Sequence, residues 1–349
     1  MSDKRYLILA EGKSADAHYG KTARGVLRYR RGDVVAVLDS ERAGETMEGI
    51  PVVASVNDAL CFGPTVALVG VATQGGRFPP AWQALLRSCV SKGLHVENGL
   101  HEFVSDDAEL AELAARHGVR LHDLRQPPAG LGVPTGENLE LDASIVLTVG
   151  SDCAIGKMTV ALELDLEARR RGLRSIFVPT GQTGIAIAGW GISVDAVISD
   201  FLAGAAERLV VEGVRRGGRL LWVEGQGSLV HPAYSGVTLG LLHGSTPHVL
   251  VLCHKAGTTE VEGYPGHPLP SLPELVRLHE LASLPRRRAT VAAVALNTSE
   301  LDEAGARAAV RAAAVATGLP AGDPVRFGPA GLVDGVLRGL AAAGRSDVG

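Results

Sequence analysis

The sequence predicts an α/β protein with two doubly wound parallel-sheet domains, and three observations lead to this prediction. Short apolar runs alternate with amphipathic segments, which is the pattern of βαβ units. A stretch rich in Pro and Gly between Gln126 and Glu137 interrupts the alternation. Beyond that stretch, a glycine-rich loop follows the first apolar run, at the point where a second α/β unit begins.

The first domain is expected to be Rossmann-like. Asp39, after the second predicted strand, has the position of a ribose-binding acid, but the turn Glu11–Asp16 lacks GxGxxG. A turn or capping aspartate is therefore favoured over nicotinamide dinucleotide binding. Predicted strands are Tyr6–Ala10, Asp33–Leu38, Thr65–Val71 and Gly93–Glu97, and predicted helices are Tyr19–Arg30, Ser55–Leu60 and Pro80–Lys92.

The break in composition sets the expected domain limits. A chain of 349 residues with 46% hydrophobic residues is long enough for two cores. The predicted division is a domain over 1–126, a linker over 127–141 and a second domain over 142–349.

The second domain is expected to resemble P-loop NTPases. Its first strand, Ser144–Val149, runs into the glycine loop, and a helix follows from Lys157 to Arg171 and stops at Gly172. Ligands bind at the carboxyl ends of the strands in such sheets. The further predicted strands are Ser175–Pro179, Arg219–Glu224, Val249–Cys253 and Thr290–Leu296.

We refer to residues 150–159 as the phosphate loop. Glycines, a helix N-terminus and the Lys157 ammonium together form a typical cradle for phosphate. A standard P-loop has four residues before Gly-Lys and then a Ser or Thr for Mg²⁺; here there are five, and Met158 follows the lysine. The predicted cofactor-binding residues are Gly150, Ser151, Asp152, Cys153, Ala154, Ile155, Gly156, Lys157, Met158 and Thr159.

Other polar residues follow predicted strands at the same edge of the sheet. Glu224 ends a buried strand, and either holds Mg²⁺ or accepts a proton. His231 is a candidate base, substrate ligand or turn residue. With Lys157, these two are the predicted catalytic residues. Gln182, Tyr234, Ser235 and Lys255 are predicted to bind substrate. Cys153 is either a passive loop residue or a nucleophile, and the passive role is favoured.

Composition excludes several classes of function. The net charge of −4, the pI near 6.3 and the aromatic content of 4% argue against a nucleic-acid partner. No segment has the length and apolarity of a membrane span. Four scattered cysteines without a CxxC pair suggest a reducing, cytoplasmic compartment. HExxH and GxSxG motifs are absent, so zinc hydrolase and serine hydrolase chemistry are not supported.

The loop GSDCAIGKMT and the turn WVEGQGS resemble motifs of dethiobiotin synthetases and related cobyrinate amidoligases. That resemblance covers about four strands of the second domain and implies binding of Mg-ATP. The metal would then lie against Asp152, Thr159 and Glu224. Met158 stands at the position of the family's metal-binding hydroxyl, and this departure weakens the implied mechanism.

Longer strings resemble a bacterial two-domain family with a Rossmann-like first domain and a P-loop second domain, long described as of unknown function. They are GKTARGVLRY, SDCAIGKMT, PTGQTGIAI, DFLAGAAE, EGQGSLVHPAYSGVTLGLLHG and LCHKAG. Members of that family are described as D-glutamate N-acetyltransferases. The resemblance implies acetyl-CoA as cofactor, and with acetyl-CoA no metal is expected. Binding the two carboxylates of glutamate requires cationic or N–H donors, and Lys21, Lys255 or an arginine is expected to supply them.

The expected function is therefore acetyl transfer from acetyl-CoA to the amine of a small acidic amino acid, D-glutamate by resemblance. Coenzyme A carries phosphates that suit the phosphate loop, and acetyl transfer needs no Mg²⁺. Two alternatives stay open: a Mg-ATP-dependent ligase or kinase, and a nucleotide- or CoA-sensing binding protein. A homo-oligomer is expected.

Overall fold

The computed structural model describes residues 4–16, 19–79 and 81–345. Pro80, the first residue of one predicted helix, and the outer ends of both predicted domains, 1–3 and 346–349, lie outside the described residues. The chain divides into two compact units. One contains the residues up to Gln126 together with Ile185–Ser193, and the other contains Pro127–Gly184 and the residues from Val194 onward. Residues 185–193, assigned to the second domain from the sequence, thus belong to the first unit.

The first unit has a sheet of seven strands within the described residues, in the order β3-β4-β2-β1-β5-β6-β7. Its strands are parallel except for β3, which pairs antiparallel with β4. The central strand is buried on both faces, as continuous apolar runs require. The elements are β1 Tyr6–Leu9, α1 Lys21–Arg30, β2 Val34–Leu38, β3 Thr46–Met47, β4 Ile50–Val53, α2 Val56–Ala59, β5 Val66–Val69, α3 Trp82–Ser91, β6 His95–Asn98, α4 Ala108–His117 and β7 Leu121–Asp123.

Asp39 directly follows β2 and is buried. Its carboxylate oxygens accept the backbone N–H groups of Gly12 and Ser14, each at 3.1 Å. Amides at the first strand-to-helix turn are the groups that hold pyrophosphate in dinucleotide-binding folds. Because Asp39 already accepts two of them, the contacts favour the turn aspartate over the ribose-binding acid.

The second unit has a parallel sheet in the order β13-β12-β11-β8-β10-β9, six strands within the described part of the chain. Strand β8 is buried along its whole length and lies between β10 and β11. The elements are β8 Ser144–Gly150, α5 Lys157–Arg170, β9 Ser175–Val178, α7 Ser199–Arg215, β10 Leu220–Val223, α8 Ser235–Ser245, β11 Val249–Lys255, α9 Leu272–Ser283, β12 Thr290–Asn297, α10 Glu303–Thr317, β13 Ala321–Gly322 and α11 Ala330–Ala342. Helix α6, Gln182–Ala188, begins in the second unit, and its residues from Ile185 onward belong to the first.

The segment predicted to be a linker, 127–141, is part of the second unit. Buried Glu207 of α7 accepts hydrogen bonds from the backbone N–H and hydroxyl of Thr135, at 2.7 and 2.8 Å, and from the N–H of Gly136 at 2.7 Å. The Asn138 amide donates to the carbonyl of Gly244 at 2.7 Å. These contacts hold the Pro- and Gly-rich segment against helices α7 and α8.

The prediction of two α/β domains built on parallel sheets is confirmed. Strands β8, β9, β10 and β11 all end at the same edge of the second sheet, because neighbouring strands in it are parallel. Among the described helices, none is both long enough and apolar enough to span a bilayer.

Candidate functional site

The phosphate loop begins at the end of β8 and is anchored to both neighbouring strands. The N–H of Ser151 donates to the carbonyl of Cys253 on β11 at 3.0 Å. The hydroxyl of Ser228, which follows β10, donates to the carbonyl of Ser151 at 3.0 Å. The Ser151 hydroxyl lies 2.9 Å from Nδ1 of His254. The start of the loop is therefore held at three points.

Six consecutive backbone N–H groups of the loop, Ala154 to Thr159, donate to no acceptor among the described residues. Positive φ angles at Ala154 (54°) and Gly156 (106°) give the loop its turn. The N–H groups of Lys157, Met158 and Thr159 also form the first turn of α5, a helix of 14 residues. Such a run of unsatisfied donors at a helix N-terminus is an anion site.

Lys157 supplies the cation of this site. Its side chain is buried, and Nζ donates to the Asp152 carbonyl at 2.6 Å. Burial lowers the pKa of Lys157, and the nearby Cys153, Cys253, Asp152 and Glu224 side chains oppose that shift. An anionic ligand oxygen at the loop would favour the ammonium form in the same way.

Glu224 follows β10 and is 4% exposed. Its Oε2 accepts the N–H groups of Thr180 at 2.9 Å and Gly181 at 3.1 Å, and the Thr180 hydroxyl donates to the Glu224 carbonyl at 2.7 Å. Oε1 accepts no hydrogen bond from the described residues. Burial raises the pKa of Glu224 from 4.5 to about 7, although the Thr180 and Gly181 amides act in the opposite direction.

This pKa suits proton transfer at neutral pH. The charge of Asp195 contributes to the upward shift, and the charge of Lys157 opposes it, so Glu224 and Lys157 belong to one electrostatic neighbourhood. A carboxyl group with a pKa near the working pH is an efficient general base. Glu224 can therefore take up a proton beside the anion site.

His231 is 4% exposed and lies beside the phosphate loop. Ligand atoms of Asp152, Cys153 and His231 all lie within 4.8 Å of one another. The backbone N–H of His231 donates to the Ser228 carbonyl at 3.1 Å. Its ring stacks on Tyr234 with centroids 4.6 Å apart and meets the edge of Tyr264 at 5.0 Å.

The donor set for Mg²⁺ is poor. Met158 offers a thioether where a hydroxyl is required. Both oxygens of Asp152 already accept backbone N–H groups, from Cys153 and from Glu262, each at 2.7 Å. Within the predicted set of Asp152, Thr159 and Glu224, each Asp152 oxygen thus already accepts one N–H group, and the position after the lysine offers no hydroxyl.

The structure brings some of the predicted substrate-binding residues to this edge. Tyr234 contacts His231, Ser235 begins α8, and Gln182 begins α6 directly after Gly181. Lys255 ends β11 but forms an ion pair with Glu300 at 2.6 Å. Lys21 begins α1 in the first unit. The roles of all five residues in substrate binding stay predictions.

Three contributors to the site carried no clear signal in the sequence. The Glu262 N–H and the Tyr264 ring come from the loop between β11 and α9, which has no recognisable motif. The charge of Asp195 acts on Glu224, although no motif around Asp195 indicates a role at the site. The Thr180 and Gly181 amides lie in PTGQTG, a string that does indicate backbone donors.

Comparison with known proteins matches both parts of the chain. A model described as "Domain of unknown function (DUF1611_C) P-loop domain" matches residues 132–333, and one described as "DUF1611_N Rossmann-like domain" matches residues 39–127. The chain belongs to the DUF1611 family. This confirms the two-domain family inferred from the sequence strings.

Two curated relatives are named D-glutamate N-acetyltransferase. One, from Tritonibacter scottomollicae, is 36% identical over 96% of this chain and 98% of its own length. The other, from Pseudoalteromonas sp, is 33% identical over 82% of this chain and 84% of its own length. A crystal structure of a DUF1611 family protein from Anabaena variabilis is 40% identical, with a TM-score of 0.90, and covers 96% of this chain and 99% of that chain.

Proposed function

We propose that the protein is an enzyme that transfers the acetyl group of acetyl-CoA to the amine of D-glutamate. The general class, N-acetyltransferase, is supported by the names of two relatives that match most of the chain. The acceptor is taken from those names, and the donor, acetyl-CoA, rests on the chemistry of the site. The observation that carries it is a buried carboxyl group, Glu224, with a pKa of about 7 beside an anion site with a poor donor set for Mg²⁺.

The phosphate loop fits the phosphates of coenzyme A. Six adjacent N–H donors without acceptors among the described residues, together with the ammonium of Lys157, match the many acceptor oxygens of a pyrophosphate. Acetyl-CoA supplies an acyl thioester, which is an activated acyl group. The reaction needs no metal, so a thioether at Met158 has no consequence for it.

Glu224 fits the second requirement, which is removal of a proton from the amine. The substrate amine is an ammonium at neutral pH and cannot attack a carbonyl carbon until it loses a proton. In the reaction a C–N bond replaces the C–S bond, coenzyme A leaves as the thiol and one proton is released. The carboxylate of Glu224, held by Thr180 and Gly181 through one oxygen, leaves Oε1 for the proton.

The Mg-ATP-dependent ligase or kinase uses the same loop but requires ionised oxygen ligands for the metal. The two Asp152 oxygens already accept the N–H groups of Cys153 and Glu262, and Met158 offers a thioether where a metal-binding hydroxyl is required. These contacts favour acyl transfer. The CoA-sensing alternative differs from an enzyme in that a sensor binds acetyl-CoA without transferring its acetyl group.

The test is release of free thiol from acetyl-CoA by the purified protein with D-glutamate. L-glutamate, D-aspartate and an amine-free control, glutarate, form the comparison panel. We expect thiol release that depends on D-glutamate and a product with the mass of an N-acetylated amino acid. Thiol release at the rate of background hydrolysis with every amine would refute the proposal, and binding of acetyl-CoA without turnover would favour the sensor.

A further inference from the structure

The hydrogen bonding of His231 determines which ring nitrogen holds a proton. The backbone N–H of Ala233 donates to Nδ1 of His231 at 3.1 Å. A nitrogen that accepts an N–H must present a lone pair, and a neutral imidazole then carries its one proton on the other nitrogen. Neutral His231 is therefore the Nε2–H tautomer. Nε2 has no hydrogen-bond partner among the described residues.

The ring is also prevented from turning to exchange the two nitrogens. It is 4% exposed and packed between Tyr234 and Tyr264, with ring centroids 4.6 and 5.0 Å away. Turning the ring over would place a carbon against the Ala233 N–H and leave that buried donor without an acceptor. The Nε2–H tautomer is thus set by packing and by the backbone.

This tautomer argues against two other roles for His231, as a metal ligand and as a general base. Asp152, Cys153 and His231 offer oxygen, sulfur and nitrogen within 4.8 Å, a donor set that suits Zn²⁺. A metal needs the lone pair of a ring nitrogen, but Nδ1 faces an N–H and Nε2 carries a proton. The same reasoning applies to a general base, which also needs a nitrogen lone pair directed at the substrate.

We propose that His231 is a hydrogen-bond donor, through Nε2–H, to an anionic oxygen of the ligand held at the phosphate loop. It acts with Lys157 and the loop amides and leaves proton removal to Glu224. The anion is either a phosphate oxygen of the bound ligand or the oxyanion formed at the thioester carbon. The second source rests on the proposed function; the first needs only an anion at the loop.

The tautomer can be measured without any assay of activity. Nitrogen-15 NMR of the imidazole rings in the full-length protein separates a protonated ring nitrogen from one with a lone pair. His231→Gln identifies the His231 signals by their loss. We expect a proton on Nε2 and a lone pair on Nδ1. A proton on Nδ1 in the neutral ring would overturn the inference, whatever the activity of the protein.

A matched pair of variants tests the donor. The amide nitrogen of Gln reaches the position of histidine Nε2, whereas that of Asn reaches only the position of Nδ1. We expect His231→Gln, which keeps an N–H donor at the position of Nε2, to retain more kcat and more pyrophosphate affinity than His231→Asn. We expect His231→Asn to lower either kcat by about 100-fold or more, or the affinity for inorganic pyrophosphate by about tenfold or more. Loss of kcat at unchanged affinity assigns the oxyanion, and loss of affinity assigns the phosphate.

Equal losses in both variants, or no loss in either, would overturn the inference. So would disappearance of the acid limb of the pH–rate profile in His231→Gln, because that result would make His231 the base. If the wild-type protein transfers no acetyl group, the proposed function fails, but the NMR and pyrophosphate measurements still decide the role of His231. If His231→Asn does not fold, the NMR result and the behaviour of His231→Gln decide it.

Discussion

Substitution of Glu224 by Gln separates proton transfer from structure at this site. The amide has nearly the same shape as the carboxyl group, and its oxygen can still accept the N–H groups of Thr180 and Gly181. The substitution removes the ability to take up a proton, together with the negative charge of the carboxylate. Loss of a positioned general base typically lowers kcat by about 100- to 10,000-fold. We expect Glu224→Gln to show a loss in this range with acetyl-CoA affinity retained.

The same substitution has a predictable effect on stability. The folded protein raises the pKa of Glu224 from 4.5 to about 7, so the native state binds this proton more tightly than the unfolded chain does. The free energy of unfolding therefore falls as the pH rises from 4.5 to about 7, and this loss is complete above pH 7. At about 1.4 kcal/mol per pKa unit, the ionised carboxylate costs the native state about 3 kcal/mol at pH 8.

The assay compares free energies of unfolding from urea titrations of wild type and Glu224→Gln at pH 8 and at pH 4.5. The difference in free energy of unfolding between Glu224→Gln and the wild type is expected to be about 3 kcal/mol more favourable to the variant at pH 8 than at pH 4.5. Glu140→Gln is the control, because Glu140 is exposed and its side chain makes no hydrogen bond with the described residues. Full activity in Glu224→Gln, or a stability difference that does not change with pH, would refute the reasoning.

Three further predictions concern the loop, the metal and the packing beneath the site. Lys157→Ala removes the buried cation, and we expect calorimetry to give an acetyl-CoA affinity about 10- to 100-fold lower; unchanged affinity would mean that the phosphate loop does not bind the cofactor. Removal of divalent cations with EDTA should leave the acetyl-transfer rate unchanged, and restoration of activity by Mg²⁺ alone would contradict the account of the donor set. Gly225→Ala would place a methyl group into the carbonyl oxygen of Thr148 and should lower the free energy of unfolding by at least about 2 kcal/mol. Gly236→Ala, whose methyl group would meet no atom within 4 Å, is its control and should be neutral in the same urea titration.

Much of the fold could be predicted because buried parallel strands are continuous apolar runs. The runs at Tyr6, Ser144 and Val249 each correspond to an observed strand that is largely buried. The phosphate loop could be predicted because its mechanism requires a strand, a glycine turn, a lysine and a helix in that order, and these follow one another along the chain.

Contacts between distant segments could not be predicted in this way. The short antiparallel pair Thr46–Met47 and Ile50–Val53 is too brief to give a periodic pattern. Residues 185–193 continue a motif of the second domain in sequence, yet Ile185 and Ala186 pack in a core of the first unit. Their apolar side chains indicate burial but not the core in which they are buried.

The chemistry of the site depends on such contacts. The sequence indicated Glu224 as a strand-end acid, but the Thr180 and Gly181 amides reach it only because β9 lies beside β10. The role of His231 was open among base, ligand and turn residue. It depends on one backbone N–H two residues further along, from Ala233, and on the packing of Tyr264.

Calorimetric titration of the purified protein with acetyl-CoA and with Mg-ATP tests most directly whether the phosphate loop serves an acyl carrier. We predict saturable binding of acetyl-CoA in the presence of EDTA, weakened about 10- to 100-fold in Lys157→Ala, and no displacement of acetyl-CoA by Mg-ATP at comparable concentration. Mg²⁺-dependent binding of ATP that displaces acetyl-CoA, or acetyl-CoA binding that is unaffected by Lys157→Ala, would contradict the account.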